Sequence, residues 1–158
     1  DRSSAASDVY KRQGMHRLRV LLVDDSTHDL ELAELVFADH SDFTVLRTQS
    51  SSRAALDMLR APSAELPDVV MLDVQMPGMS GLDLLQAIRA EPRLQTLPVV
   101  MLALAPSPTD VKAAYALHAN SYLVKARTYE GFTRQMGHVI QYWYHSLLPR
   151  ERPGTEEW

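Results

Sequence analysis

Residues 68–81 read DVVMLDVQMPGMSG. Val69, Val70, Met71 and Leu72 form an apolar block without alternation, the pattern of a strand buried on both faces, and Pro77, Gly78 and Gly81 break the chain directly after it. Asp73 therefore falls at the carboxyl end of a strand, the edge of an open parallel α/β sheet at which ligands bind. Taken alone, an acid in that position is more often a turn former or a helix cap.

A second buried-strand block, RVLLV at 19–23, ends in Asp24 and Asp25. With these two strands as neighbours, three carboxylates converge on one edge of the sheet, and anions at such separations repel strongly. A divalent cation relieves that repulsion. A site built of oxygens from few carboxylates suits Mg²⁺, which keeps several waters and takes phosphate as its other ligand. Lys125 ends a third block, SYLV at 121–124, where an ammonium can hold a phosphoryl oxygen as a point charge. Carboxylates, cation and ammonium together make a phosphoryl-transfer site.

Around these three blocks strand and helix patterns alternate. After Asp25, Ser26 or Thr27 caps a helix carrying Leu30, Ala33, Leu35, Val36 and Phe37, which ends near Asp39. Asp29 and Glu31 suit the positive dipole of its first turn. Phe43 to Thr48 reads as a strand, and Ser51 or Ser52 caps a helix with Ala55, Leu56, Met58 and Leu59. Beyond Asp73 come a helix at Leu82 to Arg89, a strand at Val99 to Leu104 and a helix at Thr109 to Leu117, opened by Ser107 and Pro108. The last helix starts near Thr128, with Tyr129, Phe132, Met136, Val139, Ile140, Trp143 and Leu147 as its stripe. Five such units predict a doubly wound α/β fold: a five-stranded parallel sheet with right-handed crossovers, helices on both faces and an extended last helix.

The acidic pair at 24–25, the run Asp-x-x-Met-Pro-x-Met-x-Gly at 73–81 and Lys125 together resemble the receiver domain of two-component response regulators, over about Leu18 to Tyr144. The stretch AYALHANSYLVK at 114–125 and the aromatic last helix are similar to stand-alone receivers paired with phytochrome-like histidine kinases. The resemblance implies a flavodoxin-like strand order 2-1-3-4-5. It further implies that Asp73 attacks a phosphoryl group as a carboxylate nucleophile, giving an aspartyl phosphate. Asp25 then binds Mg²⁺ directly, Asp24 partly through water, and Gln75 through its backbone carbonyl, while Lys125 pairs with the phosphoryl group. The implied partner is a histidine kinase, with a bacteriophytochrome-like kinase as the candidate, and output runs through protein–protein contacts, with no enzymatic turnover beyond self-phosphorylation and autodephosphorylation.

Two positions depart from that pattern. The fourth strand ends in Ala103 and Leu104, where the family carries a Thr or Ser and then a small residue; the Lys is followed by Ala126 in place of a proline. Ala103 and Tyr122, the latter matching the family's rotating aromatic, are the switch positions. A pseudo-receiver, a binding module with weakened phospho-switching, is the alternative these departures raise. A haloacid dehalogenase-like phosphatase fits less well, because Gln75 stands where that chemistry needs a second acid. The six histidines follow no metal-ligand spacing, and His118 reads as a helix-end residue. Ser80 lacks the Gly-x-Ser-x-Gly elbow of a hydrolase.

Composition limits the remaining classes. A chain of 158 residues with 46% hydrophobic composition fits one domain with its own core. A formal charge of −4 gives no basic footprint for nucleic acid. Cysteine is absent, excluding disulfides and thiolate metal sites, and no apolar run approaches the roughly 18 residues of a membrane span, so a cytoplasmic protein is expected. Residues 1–14 read as a disordered leader or an artefact, 16–148 as the receiver domain and 149–158 as a flexible tail. Tyr142, Trp143 and Tyr144 are adjacent and span more than one helix face, which makes them interface candidates for a homodimer.

Overall fold

In the computed structural model, which describes residues 17–148 and residue 158, strand and helix alternate five times. The order is β1 (Leu18–Val23), α1 (Thr27–Ala38), β2 (Thr44–Gln49), α2 (Ser52–Arg60), β3 (Val69–Asp73), α3 (Gly81–Ala90), β4 (Val99–Ala103), α4 (Pro108–Ala116), β5 (Ser121–Val124) and α5 (Tyr129–Tyr144), with one 3-10 turn at Pro92–Leu94. All pairings are parallel, in the order β2-β1-β3-β4-β5. The leader at 1–14 and the tail at 149–157 lie outside the described residues.

Every residue of β1, β3 and β4 is buried, as their unbroken apolar blocks require of strands covered on both faces. Alternate side chains sort the core into two halves. Leu21, Val23, Val70, Leu72, Val99 and Met101 point toward α2, α3 and α4, where Leu56, Leu59, Leu84, Leu85 and Ile88 close over them. Val20, Leu22, Val69, Met71, Val100 and Leu102 point toward α1 and α5. All five helices open on a hydroxyl cap: Ser26, Ser51, Ser80, Ser107 and Thr128 each accept the N–H three residues on. Each cap is worth about 1 kcal/mol. Among the described residues no helix is long and apolar enough to cross a membrane.

Several expectations shift. Leu35 is 60% exposed, because Leu30, Ala33, Val36 and Phe37 already fill the inward arc of α1. Leu104, 47% exposed, lies beyond β4. Tyr129 and Leu147 stand outside the packed stripe of α5. The three adjacent aromatics separate: Trp143 belongs to the core stripe with Phe132, Met136, Val139 and Ile140 and is buried within the chain. Tyr144 meets the Phe43 ring edge-on at 5.2 Å. Tyr142, one helical step away from the stripe, is 67% exposed. Trp158, expected in a flexible tail, is seated: its indole N–H donates to the Glu65 carbonyl (2.9 Å), and the Arg47 guanidinium lies 4.8 Å from its ring centre.

At the edge of the sheet where β4 and β5 begin, Arg89 gathers the connections. Its guanidinium donates to the carbonyls of Leu94, Gln95, Leu97, Leu117 and His118 at 2.8–3.3 Å. His118 follows the C-cap of α4 with φ 60, the left-handed conformation that ends a helix. It therefore closes the helix through its backbone.

Candidate functional site

Parallel pairing brings the carboxyl ends of β1, β3, β4 and β5 to one edge. Val23 lies opposite Leu72, so the following residues, Asp24 and Asp73, are neighbours. The backbone N–H of Lys125 donates to the Ala103 carbonyl (2.8 Å), which carries β5 to the same edge. Carboxylate oxygens of Asp24, Asp25 and Asp73 all lie within 4.8 Å of one another. Asp24 and Asp73 are buried, whereas Asp25 is exposed at the mouth. Gln75 lies at the rim with its side chain exposed.

Both oxygens of Asp24 are engaged. Oδ1 accepts the Ser26 N–H (2.9 Å), and Oδ2 accepts from Lys125 Nζ at 2.6 Å. The same ammonium donates to Asp29 Oδ2 at 2.8 Å. Lys125 thus spans two carboxylates and has one N–H left. Burial alone would lower its pKa, but the hydrogen bonds to Asp24 and Asp29 and the charges of Asp24 and Asp73 outweigh that and hold it above its ordinary value. Asp29 was legible only as a first-turn acid of α1; no spacing in the sequence links it to Lys125, 96 residues away.

Burial pushes Asp73 from 3.8 up to about 7; Lys125 opposes the shift, and Asp24 and Asp25 add to it. A carboxyl group that resists ionisation beside two other acids, with hard oxygen donors only, fits a small divalent cation. The residues present therefore suit Mg²⁺ or a chemically similar ion.

The loop after Asp73 holds the backbone of Asp73 in place. Gly78 turns the chain at φ +71, and Ser80 and Asp83 form a reciprocal capping box that starts α3. Gly81 then donates its N–H to the Val74 carbonyl (3.1 Å). A Cβ on Gly81 would stand 2.2 Å from the Asp73 carbonyl oxygen, so only glycine lets α3 start this close to Asp73.

On the β4 side, Ala103 is fully buried and offers only a methyl group. Tyr122, paired in register with Met101, packs against the α2–α4 half of the core. Its hydroxyl is buried with no hydrogen-bond partner among the described residues, and burial, Asp110 and Asp73 raise its pKa.

A profile of the response regulator receiver domain matches residues 20–134. The chain belongs to the response regulator receiver family. This receiver is 32% identical over 127 residues to the probable methanogenesis regulatory protein FilR2 of Methanothrix harundinacea, covering 78% of this chain and 82% of that protein. Among solved structures it is similar to the phosphorylated cyanobacterial phytochrome response regulator RcpA, with a TM-score of 0.79 at 25% identity, over 85% of this chain and 99% of that one. It is likewise similar to the Mn²⁺-bound response regulator Rcp1 of Synechocystis, with a TM-score of 0.76 at 28% identity, over 84% and 99% of the two chains. The family is that of two-component signalling, as the carboxylate and lysine pattern implies. The strand order 2-1-3-4-5 and the long last helix of the receiver are both present.

Proposed function

We propose that this receiver accepts a phosphoryl group from a histidine kinase onto Asp73. The observation that carries the reading is the convergence of Asp24, Asp25 and Asp73 with Lys125 at the carboxyl ends of three parallel strands, β1, β3 and β5. In the step itself an Asp73 oxygen attacks the phosphorus of the donor's phosphohistidine. The new O–P bond forms as the P–N bond breaks, and the imidazole leaves with the electron pair. Asp73 must be ionised to attack, which its surroundings resist. A Mg²⁺ ion bound by Asp24, Asp25, Asp73 and the Gln75 carbonyl would supply the missing positive charge. Lys125 keeps its remaining N–H for a phosphoryl oxygen, and its position is set by Asp24 and Asp29. A loose phosphoryl-transfer transition state asks chiefly for such positioning and charge neutralisation.

The kinase is of the phytochrome type in this reading, which the likeness to RcpA and Rcp1 supports, and the receiver acts in the cytoplasm through protein contacts as a homodimer. Exposed Tyr142, with Val124 56% exposed on the neighbouring edge strand, supports a pairing surface along α5 and β5. The decisive trial is incubation with acetyl phosphate and Mg²⁺. Intact mass should show one base-labile phosphoryl group on the wild type and none on Asp73→Asn; labelling of both, or of neither, refutes the assignment.

A second reading is favoured by Ala103. A pseudo-receiver would take the phosphoryl group yet transmit little, because no hydroxyl on β4 can follow the phosphoryl oxygen and the Tyr122 hydroxyl has no partner among the described residues to exchange.

A further inference from the structure

β5 ends at Val124, and the chain passes through Lys125 and Ala126 before α5 begins. Gln135, in the second turn of α5, reaches back to this passage with both ends of its amide. Nε2 donates to the Val124 carbonyl at 2.7 Å, and Oε1 accepts the Ala126 N–H at 3.1 Å. Only one orientation of the amide satisfies both bonds, since the carbonyl needs a donor and the N–H an acceptor. The two backbone groups bracket Lys125, whose own N–H is held by the Ala103 carbonyl (2.8 Å). Three consecutive residues are thereby fixed between β4 and α5.

A proline after the lysine, as the family resemblance leads one to expect, would have neither the freedom to rotate about φ nor an N–H to give. Ala126 has both, and Gln135 takes up the N–H. The restraint that a ring would place on the lysine's backbone comes here from a side chain on α5. Precision is required at this point. The Lys125 ammonium must bridge Asp24 and Asp29 at 2.6 and 2.8 Å, and a backbone shift of about 1 Å is enough to degrade a catalytic geometry.

We infer that Gln135 is a positioning residue for Lys125, clamping the backbone on both sides so that the ammonium reaches the phosphoacceptor site. The inference rests on the reading of Lys125 as the phosphoryl-binding residue. Its test is a cycle of Gln135→Leu, which keeps bulk and removes both bonds, against Lys125→Ala, followed by the rate of phosphorylation by acetyl phosphate with Mg²⁺. Gln135→Leu should slow the wild type about tenfold, the size of effect expected from losing two hydrogen bonds, and should leave the Lys125→Ala protein unchanged. Equal slowing in both backgrounds means a general structural role and overturns the inference. If the wild type takes no phosphoryl group, the function has failed and the clamp is judged from NMR alone. The Lys125 ammonium ¹⁵N signal and the Ala126 amide should then both move in Gln135→Leu, and unchanged signals overturn the inference. Should Gln135→Leu not fold, Gln135→Glu, which keeps length and acceptor but loses the donor to Val124, replaces it under the same criteria.

Discussion

Asp73→Asn should stabilise the metal-free protein, and by an amount that grows with pH. In the unfolded chain the carboxyl group titrates near 3.8, and in the folded protein at about 7. Between those values the folded state holds a proton that the unfolded state has released. The stability contributed by this protonated group is complete below 3.8 and is lost as pH rises, until the loss levels off above about 7. A shift of about three pH units corresponds to about 4 kcal/mol as a ceiling, at 1.36 kcal/mol per unit. Water at the Asp25 mouth screens part of this, so the advantage of asparagine should grow by about 1 to 2 kcal/mol between pH 5 and pH 8. Urea unfolding of both proteins in EDTA across that range is the assay, because titrating groups that do not interact with Asp73 cancel in the difference. Saturation with Mg²⁺ should then reverse the order. A ligand at a hundredfold its dissociation constant adds about 2.7 kcal/mol to the form that binds it, and asparagine removes one of the charged ligands. A difference that stays flat with pH, or that runs against asparagine as pH rises, would show that Lys125 outweighs burial and that Asp73 is held as a carboxylate.

Gly81→Ala should destabilise the fold by about 2 kcal/mol, as an overpacked contact does, and slow phosphorylation at least tenfold, because the added Cβ can clear the Asp73 carbonyl only by moving it; unchanged kinetics would mean that the nucleophile's backbone position is immaterial. Ala103→Thr supplies a hydroxyl at the end of β4, and beryllofluoride should then shift amide resonances around Tyr122 more than in the native protein. A native response as large as that of the threonine variant, with both proteins binding the mimic equally, removes the support for the pseudo-receiver reading. The intact chain should scatter light as a dimer at tens of micromolar, and Tyr142→Glu, which puts charge on the proposed pairing surface, should reduce it to a monomer; a monomeric wild type refutes the homodimer.

The fold was legible because β1, β3 and β4 are buried on both faces, so that their sequences are unbroken apolar runs ended by an acid or a turn. Asp24, Asp25 and Asp73 could be read because each stands at such an ending, and Lys125 because it closes the short apolar run of the half-exposed β5. What the sequence hid depends on side chains that cross between elements. Asp29 and Lys125 meet only once α1 has packed against α5 over the sheet, and at the level of sequence Asp29 is just another first-turn acid. Gln135 binds backbone, and backbone partners leave no trace in residue type. Trp143 illustrates a different limit: aromatic adjacency pointed to an interface, whereas the 100° step of the helix turns Trp143 inward and Tyr142 outward. Ends of strands drifted by a residue, as at β2, because pairing with β1 sets the last bridged residue.

The five carbonyls gathered by Arg89 bear on how the molecule breathes. Burial already lowers the pKa of this guanidinium, so a segment that lifts away leaves a poorly solvated cation short of acceptors. The 3-10 turn, the approach to β4 and the end of α4 therefore open together or not at all, as one cooperative unit. In native-state hydrogen exchange that pole should report an opening free energy close to that of global unfolding. At the opposite edge, the exposed loops at Leu104 to Pro106 and Arg127 to Thr128 have no such rivet among the described residues, and the amides of these loops should exchange through small, frequent openings. The easiest openings are then expected in the exposed loops around the acidic cluster and not at the Arg89 pole.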